Sequence, residues 1–188
     1  EEDLPVNRLA RIGIKPEDID TIVLSHMHPD HYGFIEKFPN AEIIVSDDEF
    51  TYMMKEYALN LIPFTKDFEY LIKCKLNWKL VPGSEKTVKL VDGVTIYNLG
   101  RGHSYGILGL LLELPNSGKK LLVSDAIYSS ENVGPPIKMP GICMDREAWL
   151  DTLEYILKLA KELGAEIWYG HDLKQFKGLV KSTEGYYD

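Results

Sequence analysis

Three imidazoles and a carboxylate fall within six residues in Ser25-His26-Met27-His28-Pro29-Asp30-His31, directly after the apolar run Thr21-Ile22-Val23-Leu24. No hydrophobic core requires such a segment. Neutral imidazole and carboxylate are the ligands of borderline divalent ions such as zinc, and several of them close together hold more than one ion. The other two histidines stand at the same kind of place. His103 follows an apolar run at 94–99 through Gly100-Arg101-Gly102, and His171 follows Ile167-Trp168-Tyr169 through Gly170. Asp125 closes Lys120-Leu121-Leu122-Val123-Ser124, where a carboxylate has no apolar role and must be paired or bound to a cation. His26, His28, Asp30, His31, His103, Asp125 and His171 are therefore expected to converge on one sheet edge. They suffice for two metals if a carboxylate bridges and a water or hydroxide completes the shells.

Positioning these side chains requires strands that end where the ligands begin. Residues 7–12 read as a helix stopped by Gly13, 21–24 as a strand, 32–38 as a short helix, 41–46 as a buried strand and 47–59 as a helix capped by Asp47 or Asp48. This β-α-β order favours parallel neighbours. Strand-like runs then cluster at 78–81, 87–90, 94–99, 107–114 and 120–124, separated by Gly, Asp or Asn turns, and predict antiparallel pairing. Asp145 caps a long helix whose Trp149, Leu153, Ile156, Ala160 and Leu163 recur every three or four residues before Gly164 ends it, which marks a core stripe. A last strand at 166–169 leads to Gly170-His171-Asp172 and a short helix. The expected class is α/β (α+β), with sheets layered between helices in one domain over residues 1–188.

Bulk properties exclude several functions. The 188 residues carry 21 Lys plus Arg against 29 Asp plus Glu, a formal charge of −8 that repels phosphate backbones and anionic membranes. No nucleic-acid partner and no membrane partner is expected. The longest strongly apolar stretch, Ile107–Leu114, is far shorter than the ~20 residues of a spanning helix. Cys74 and Cys143 are too few for a disulfide scaffold and read as buried, reduced thiols, which points to the cytoplasm. The chain starts at Glu1 rather than Met, so an incomplete amino terminus is expected and export stays open.

The order of these ligands resembles the metallo-β-lactamase superfamily, in which a strand leading into H-x-H-x-D-H, then a lone His, an Asp and a final His, builds a two-metal site on an αββα sandwich. The likeness runs over about residues 12–176. It implies His26, His28 and His103 for one metal, Asp30, His31 and His171 for the other, and Asp125 for both. Asp125-Ala126-Ile127-Tyr128, Leu76-Asn77-Trp78-Lys79 and Trp168-Tyr169-Gly170-His171-Asp172 are similar to the N-acyl homoserine lactonases, where a Tyr three residues past the bridging Asp contacts the lactone. The chain departs from them at Pro29 and in having no second His after His103. Relatives also place several strands before this point, so the N-terminal strands of the fold are expected to be missing here.

The implied activity is opening of a lactone ring, an N-acyl homoserine lactone, by a metal-bridging hydroxide. Tyr128 would donate to the developing oxyanion, and Asp30 or Asp172 would relay the proton. Zinc is the expected ion, with iron, manganese and cobalt open to the same ligands. Two divalent ions, two carboxylates and one hydroxide leave the site about one positive charge, which suits a small neutral ester or lactone. Ile62, Pro63, Phe64 and Phe68 in one loop and Ile137, Met139 and Ile142 in another are candidates for holding an acyl chain, with core packing as their alternative role. A glyoxalase II-like thioesterase or a phosphodiesterase is the rival within the superfamily and would need basic residues near the site, for which Arg101 and Lys138 are the candidates. A non-catalytic metal-binding module is the rival outside it. Either a monomer or a homodimer is compatible with the sequence.

Overall fold

Apolar strand runs alternate with helices at the start of the chain and with turns in its middle, and two sheets of different type follow in the computed structural model. The structure describes residues 4–188. They divide into two compact units, the first ending at Val81 and the second spanning Pro82 to Asp188.

The first unit contains α1 (Pro5–Arg11), β1 (Thr21–Val23), α2 (Pro29–Tyr32), β2 (Glu42–Ser46), α3 (Asp47–Ala58), α4 (Thr65–Lys73) and β3 (Asn77–Val81). Its sheet has the order β1-β2-β3, all parallel. The β-α-β expectation holds for β1 and β2. Residues 78–81, expected to join the antiparallel cluster, pair instead in parallel with β2, register Trp78 against Ile43. The cause is α4, in a segment whose Pro63 and Phe64 suggest a loop: with α3 it forms a helical crossover, and such a crossover returns a strand parallel to the one it left. Phe68 on α4 is fully buried and Ile62 nearly so, which gives both a core role.

Two further expectations shift locally. The helix expected at 32–38 is split, because Pro29 at the first helical position starts α2 early and Phe34 adopts left-handed backbone (φ 64°) before a 3₁₀ turn at Ile35–Lys37. The cap of α3 is Ser46, whose side chain accepts from the Glu49 N–H; Asp47 and Asp48 lie in the first turn, where they complement the helix dipole.

The second unit contains β4 (Thr87–Val91), β5 (Val94–Gly100), β6 (Ile107–Leu114), β7 (Gly118–Ser124), α5 (Ser130–Val133), α6 (Arg146–Leu163), β8 (Glu166–Tyr169) and α7 (Leu173–Gly178). Its sheet has the order β4-β5-β6-β7-β8. The first four strands are antiparallel neighbours, while β8 runs parallel to β7 because α6 carries the chain back between them. Asp145 caps α6 by accepting from the Ala148 N–H, and Gly164 ends it at φ 64°. Trp149, Leu153 and Ile156 of α6 pack with Leu99, Ile107, Leu121 and Val123 of the sheet. Both cysteines are free thiols, half-buried rather than buried. Among the described residues no helix is long and apolar enough to cross a membrane.

One close approach ties α6 to the segment after β5. Gly102 has φ 137°, and a Cβ placed there would lie 2.5 Å from the Trp149 Cα and 2.6 Å from its N. Gly102→Ala combines an unfavourable backbone with a clash against main chain that cannot yield. It is expected to lower stability by about 2–4 kcal/mol, measured by urea unfolding of the metal-free protein. Unchanged stability would contradict this packing.

Candidate metal centre

In both units the candidate ligands follow strand ends. In the first, Leu24 extends β1 by donating its N–H to the Ile44 carbonyl at 2.8 Å, and the chain then leaves the sheet at Ser25-His26. His26 is fully buried, and its ring lies 4.6 Å from that of His28 and 4.1 Å from that of His31. His26 Nε2 and His28 Nδ1 approach to 3.0 Å. Two nitrogens at ~2.0–2.1 Å from one tetrahedral zinc stand roughly 3.3 Å apart, so this pair is close to the edge of such a shell. The Ser25 hydroxyl lies 3.2 Å from His26 Nδ1 and 3.4 Å from His31 Nδ1, which leaves the Nε2 atoms as the ligand atoms of both rings. Asp30 Oδ2 stands 3.5 Å from His31 Nε2. The first unit therefore gathers His26, His28, Asp30 and His31.

In the second unit the topology dictates the gathering. β5 and β7 are both antiparallel to β6 and so run the same way, and β8 is parallel to β7. The C-terminal ends of β5, β7 and β8 thus share one edge of the sheet, where Gly100, Ser124 and Tyr169 hand over to His103, Asp125 and His171. The Gly170 N–H donates to the Ile127 carbonyl at 3.1 Å and the His171 N–H to that of Tyr128 at 2.8 Å, locking the two loops together. Helix α6 grips the third loop, where Thr152 Oγ1 donates to the Arg101 carbonyl at 2.7 Å, and also the loop after β7, where Trp149 Nε1 donates to the Ala126 carbonyl at 2.9 Å.

Asp125 is 2% exposed and meets two imidazoles: His171 Nε2 lies 3.1 Å from its Oδ1 and 3.2 Å from its Oδ2, and His103 Nε2 lies 3.4 Å from Oδ2. His103 Nδ1 lies 3.1 Å from the Ile142 carbonyl, which can only accept, so Nδ1 carries the proton and Nε2 presents a lone pair toward Asp125. A lone pair facing a carboxylate oxygen is a contact that a shared cation resolves. The Tyr128 ring sits 5.2 Å from both His103 and His171, with its hydroxyl 3.3 Å from His103 Nδ1. The donor set in each unit fits a borderline divalent ion, with imidazole nitrogens and carboxylate oxygens converging in pairs.

Asp172 takes another role than the proton relay considered from sequence. Its Oδ1 accepts from the Gln175 N–H, capping α7, and its Oδ2 accepts from the Ser130 N–H and hydroxyl at 2.9 and 2.8 Å. These backbone hydrogen bonds hold its carboxyl down at about 2. It ties the His171 loop to α5. Asp30 is exposed, with 61% of its side chain accessible. Ser25, the Ile142 carbonyl and Glu49, which accepts from the Met27 N–H, are site residues that sequence reasoning missed; a hydroxyl directly before the first ligand and a carboxylate opening a helix after a buried strand were the available signals.

The sequence model of the metallo-beta-lactamase superfamily matches residues 1–104. The N-acyl homoserine lactonase AiiB of Agrobacterium fabrum is 38% identical over 184 residues, covering 96% of this chain and 67% of the relative. The N-acyl homoserine lactonase AiiA of Bacillus thuringiensis subsp. kurstaki is 34% identical over 177 residues, covering 94% of this chain and 65% of AiiA. A crystal structure of a B. thuringiensis AiiA variant with N-decanoyl-L-homoserine bound at its active site has a TM-score of 0.81 and 32% identity, covering all of this chain and 69% of that one. A structure of N-acyl homoserine lactone hydrolase with N-hexanoyl-L-homoserine at its catalytic metal centre gives 0.80 at 32% identity, over all of this chain and 69% of that one. The chain belongs to the metallo-beta-lactamase superfamily and, within it, to the N-acyl homoserine lactonase family, with the mixed α/β fold of that group. It spans about two thirds of the length of these relatives.

Gly170 tests the geometry around Asp125. A Cβ there would lie 2.6 Å from Asp125 Oδ1 and 2.7 Å from the Ser124 carbonyl oxygen. Gly170→Ala is expected to displace the carboxylate and lower zinc content per chain, read by elemental analysis, while circular dichroism shows the fold kept. Full zinc content in the variant would contradict this placement.

Proposed function

We propose that the chain hydrolyses the ring ester of an N-acyl homoserine lactone. In this reading, as the resemblance implies, His26, His28 and His103 would hold one zinc ion, Asp30, His31 and His171 a second, and Asp125 would serve both. The observation that carries it is the Asp125 carboxylate, buried and in contact with both the His171 and the His103 imidazole, as a ligand shared by two ions would be. When bound, the ions supply a hydroxide nucleophile at neutral pH and polarise the ester carbonyl.

The chain's own residues do the rest. His103 is fixed by the Ile142 carbonyl in the tautomer that offers Nε2. Tyr128, standing between the His103 and His171 rings, donates its hydroxyl to the oxyanion as the carbonyl carbon becomes tetrahedral. The ring C–O bond then breaks, leaving an alkoxide and a carboxylic acid that still carries the hydroxide's proton. Asp30 is the solvent-facing carboxylate that takes this proton and delivers it to the alkoxide, giving the carboxylate and the alcohol. Ile137, Met139 and Ile142 are exposed apolar side chains of the second unit and suit an acyl chain.

Two ion pairs favour a neutral substrate over an anionic one. Arg101 pairs with Asp145 at 3.4 Å and Lys138 with Glu131 at 2.8 Å, so both cations that a phosphodiester or glutathione thioester would call on already serve carboxylates. A panel of an N-acyl homoserine lactone, a glutathione thioester and a phosphodiester, run on zinc-loaded protein, should show turnover of the lactone; a preference for either anion would overturn this reading. His103→Ala and Asp125→Ala should each leave less than about 1% of lactone kcat/KM. Tyr128→Phe should lower kcat roughly 10- to 100-fold, less than loss of a sole oxyanion donor because bound metal shares the charge. Turnover by metal-free protein would contradict the scheme.

A further inference from the structure

The peptide between the first two histidines is held from within the first unit. Met27 is 1% exposed, and its backbone N–H donates to Glu49 Oε1 at 2.8 Å. Glu49 is itself fully buried in the first turn of α3, and its own N–H is taken by the Ser46 hydroxyl. A glutamate in such a position is rare unless its carboxylate answers a specific donor. Ser46 caps α3, and the Glu49 side chain reaches a residue 22 positions earlier.

The sequence delivers this contact economically. β2 is parallel to β1 and ends at Ser46, beside the segment where β1 gives way to the histidine loop, and α3 begins at the next residue. Its third residue therefore arrives at the C-terminal edge of the sheet, level with Met27. On either side of the Met27 peptide stand His26 and His28, whose Nε2 and Nδ1 atoms are 3.0 Å apart. A rotation of that peptide would swing the two imidazoles apart.

We propose that Glu49 is a positioning residue for metal binding: by accepting from the Met27 N–H, its carboxylate oxygen sets the spacing of His26 and His28. The inference rests on the two-metal reading above. An outer partner that orients a ligand commonly governs about 10- to 100-fold in metal affinity. Glu49→Gln keeps both the volume and an acceptor oxygen. Glu49→Met keeps the length and removes the acceptor, and Glu49→Asp keeps the charge but withdraws it by one methylene.

The test is zinc affinity of the metal-free full chain, by competition with a chromophoric chelator, alongside thermal unfolding of the same metal-free samples. Glu49→Gln is expected within about threefold of wild type, and Glu49→Met about 10- to 100-fold weaker. Glu49→Asp should weaken zinc in the same direction and serves if Glu49→Met does not fold. Wild-type affinity in Glu49→Met or Glu49→Asp, even with a lowered melting temperature, overturns the proposal, because a purely structural residue would behave so. Loss in Glu49→Gln equal to that in Glu49→Met also overturns it, since charge rather than acceptance would then be responsible. Wild-type protein that binds no zinc defeats the two-metal reading itself.

Discussion

A carboxylate cannot be left in a protein interior without compensation, and Asp125 is the point at which this chain meets that constraint. It is 2% exposed at the end of a strand whose Leu121 and Val123 are wholly buried. Removing an anion from water costs several kcal/mol even after relaxation. The groups around it are imidazoles rather than permanent cations, His171 touching both oxygens and His103 touching Oδ2. Such a cluster is stabilised by what it binds. A divalent ion would supply positive charge here, and each ligand would then become an asset instead of a liability.

The rest of the second unit serves that point. Because β5, β7 and β8 run in the same direction, their C-terminal ends deliver His103, Asp125 and His171 to one edge, and α6 fastens the connecting loops through Thr152 and Trp149. The first unit repeats the device with a parallel sheet, where the end of β1 releases the histidine loop and the start of α3 secures it through Glu49. Rigid strands set the positions, while short loops carry the chemistry. Tyr128 and Asp172 illustrate the division of labour in the loop after β7 and the one after β8, the first facing the imidazoles and the second tying its loop to α5.

The seven ligand candidates stand out in the sequence because ligand types follow apolar runs, where a core would not place them, and Tyr128 stands out through the Asp125-Ala126-Ile127-Tyr128 resemblance. Strand positions were legible for the same reason, since period and turn residues mark them. Partners were harder. Residues 78–81 look like one more member of an antiparallel series, and only the α4 crossover, hidden in a segment whose Pro63 and Phe64 suggest a loop, turns them parallel. Asp172 and Ser46 show another limit: a short polar side chain beside a helix start can cap, relay or do nothing, and the backbone geometry decides which. Glu49 and the Ile142 carbonyl lie outside any local pattern, because their partners are 22 and 39 residues away.

The proposed function makes a claim about stoichiometry: the chain would hold two ions and not one. Calorimetric titration of metal-free chain with zinc measures this directly. Two equivalents bound per chain, with Asp125→Asn weakening both together, is the result predicted. A single equivalent, or two of which Asp125→Asn disturbs only one, would contradict it.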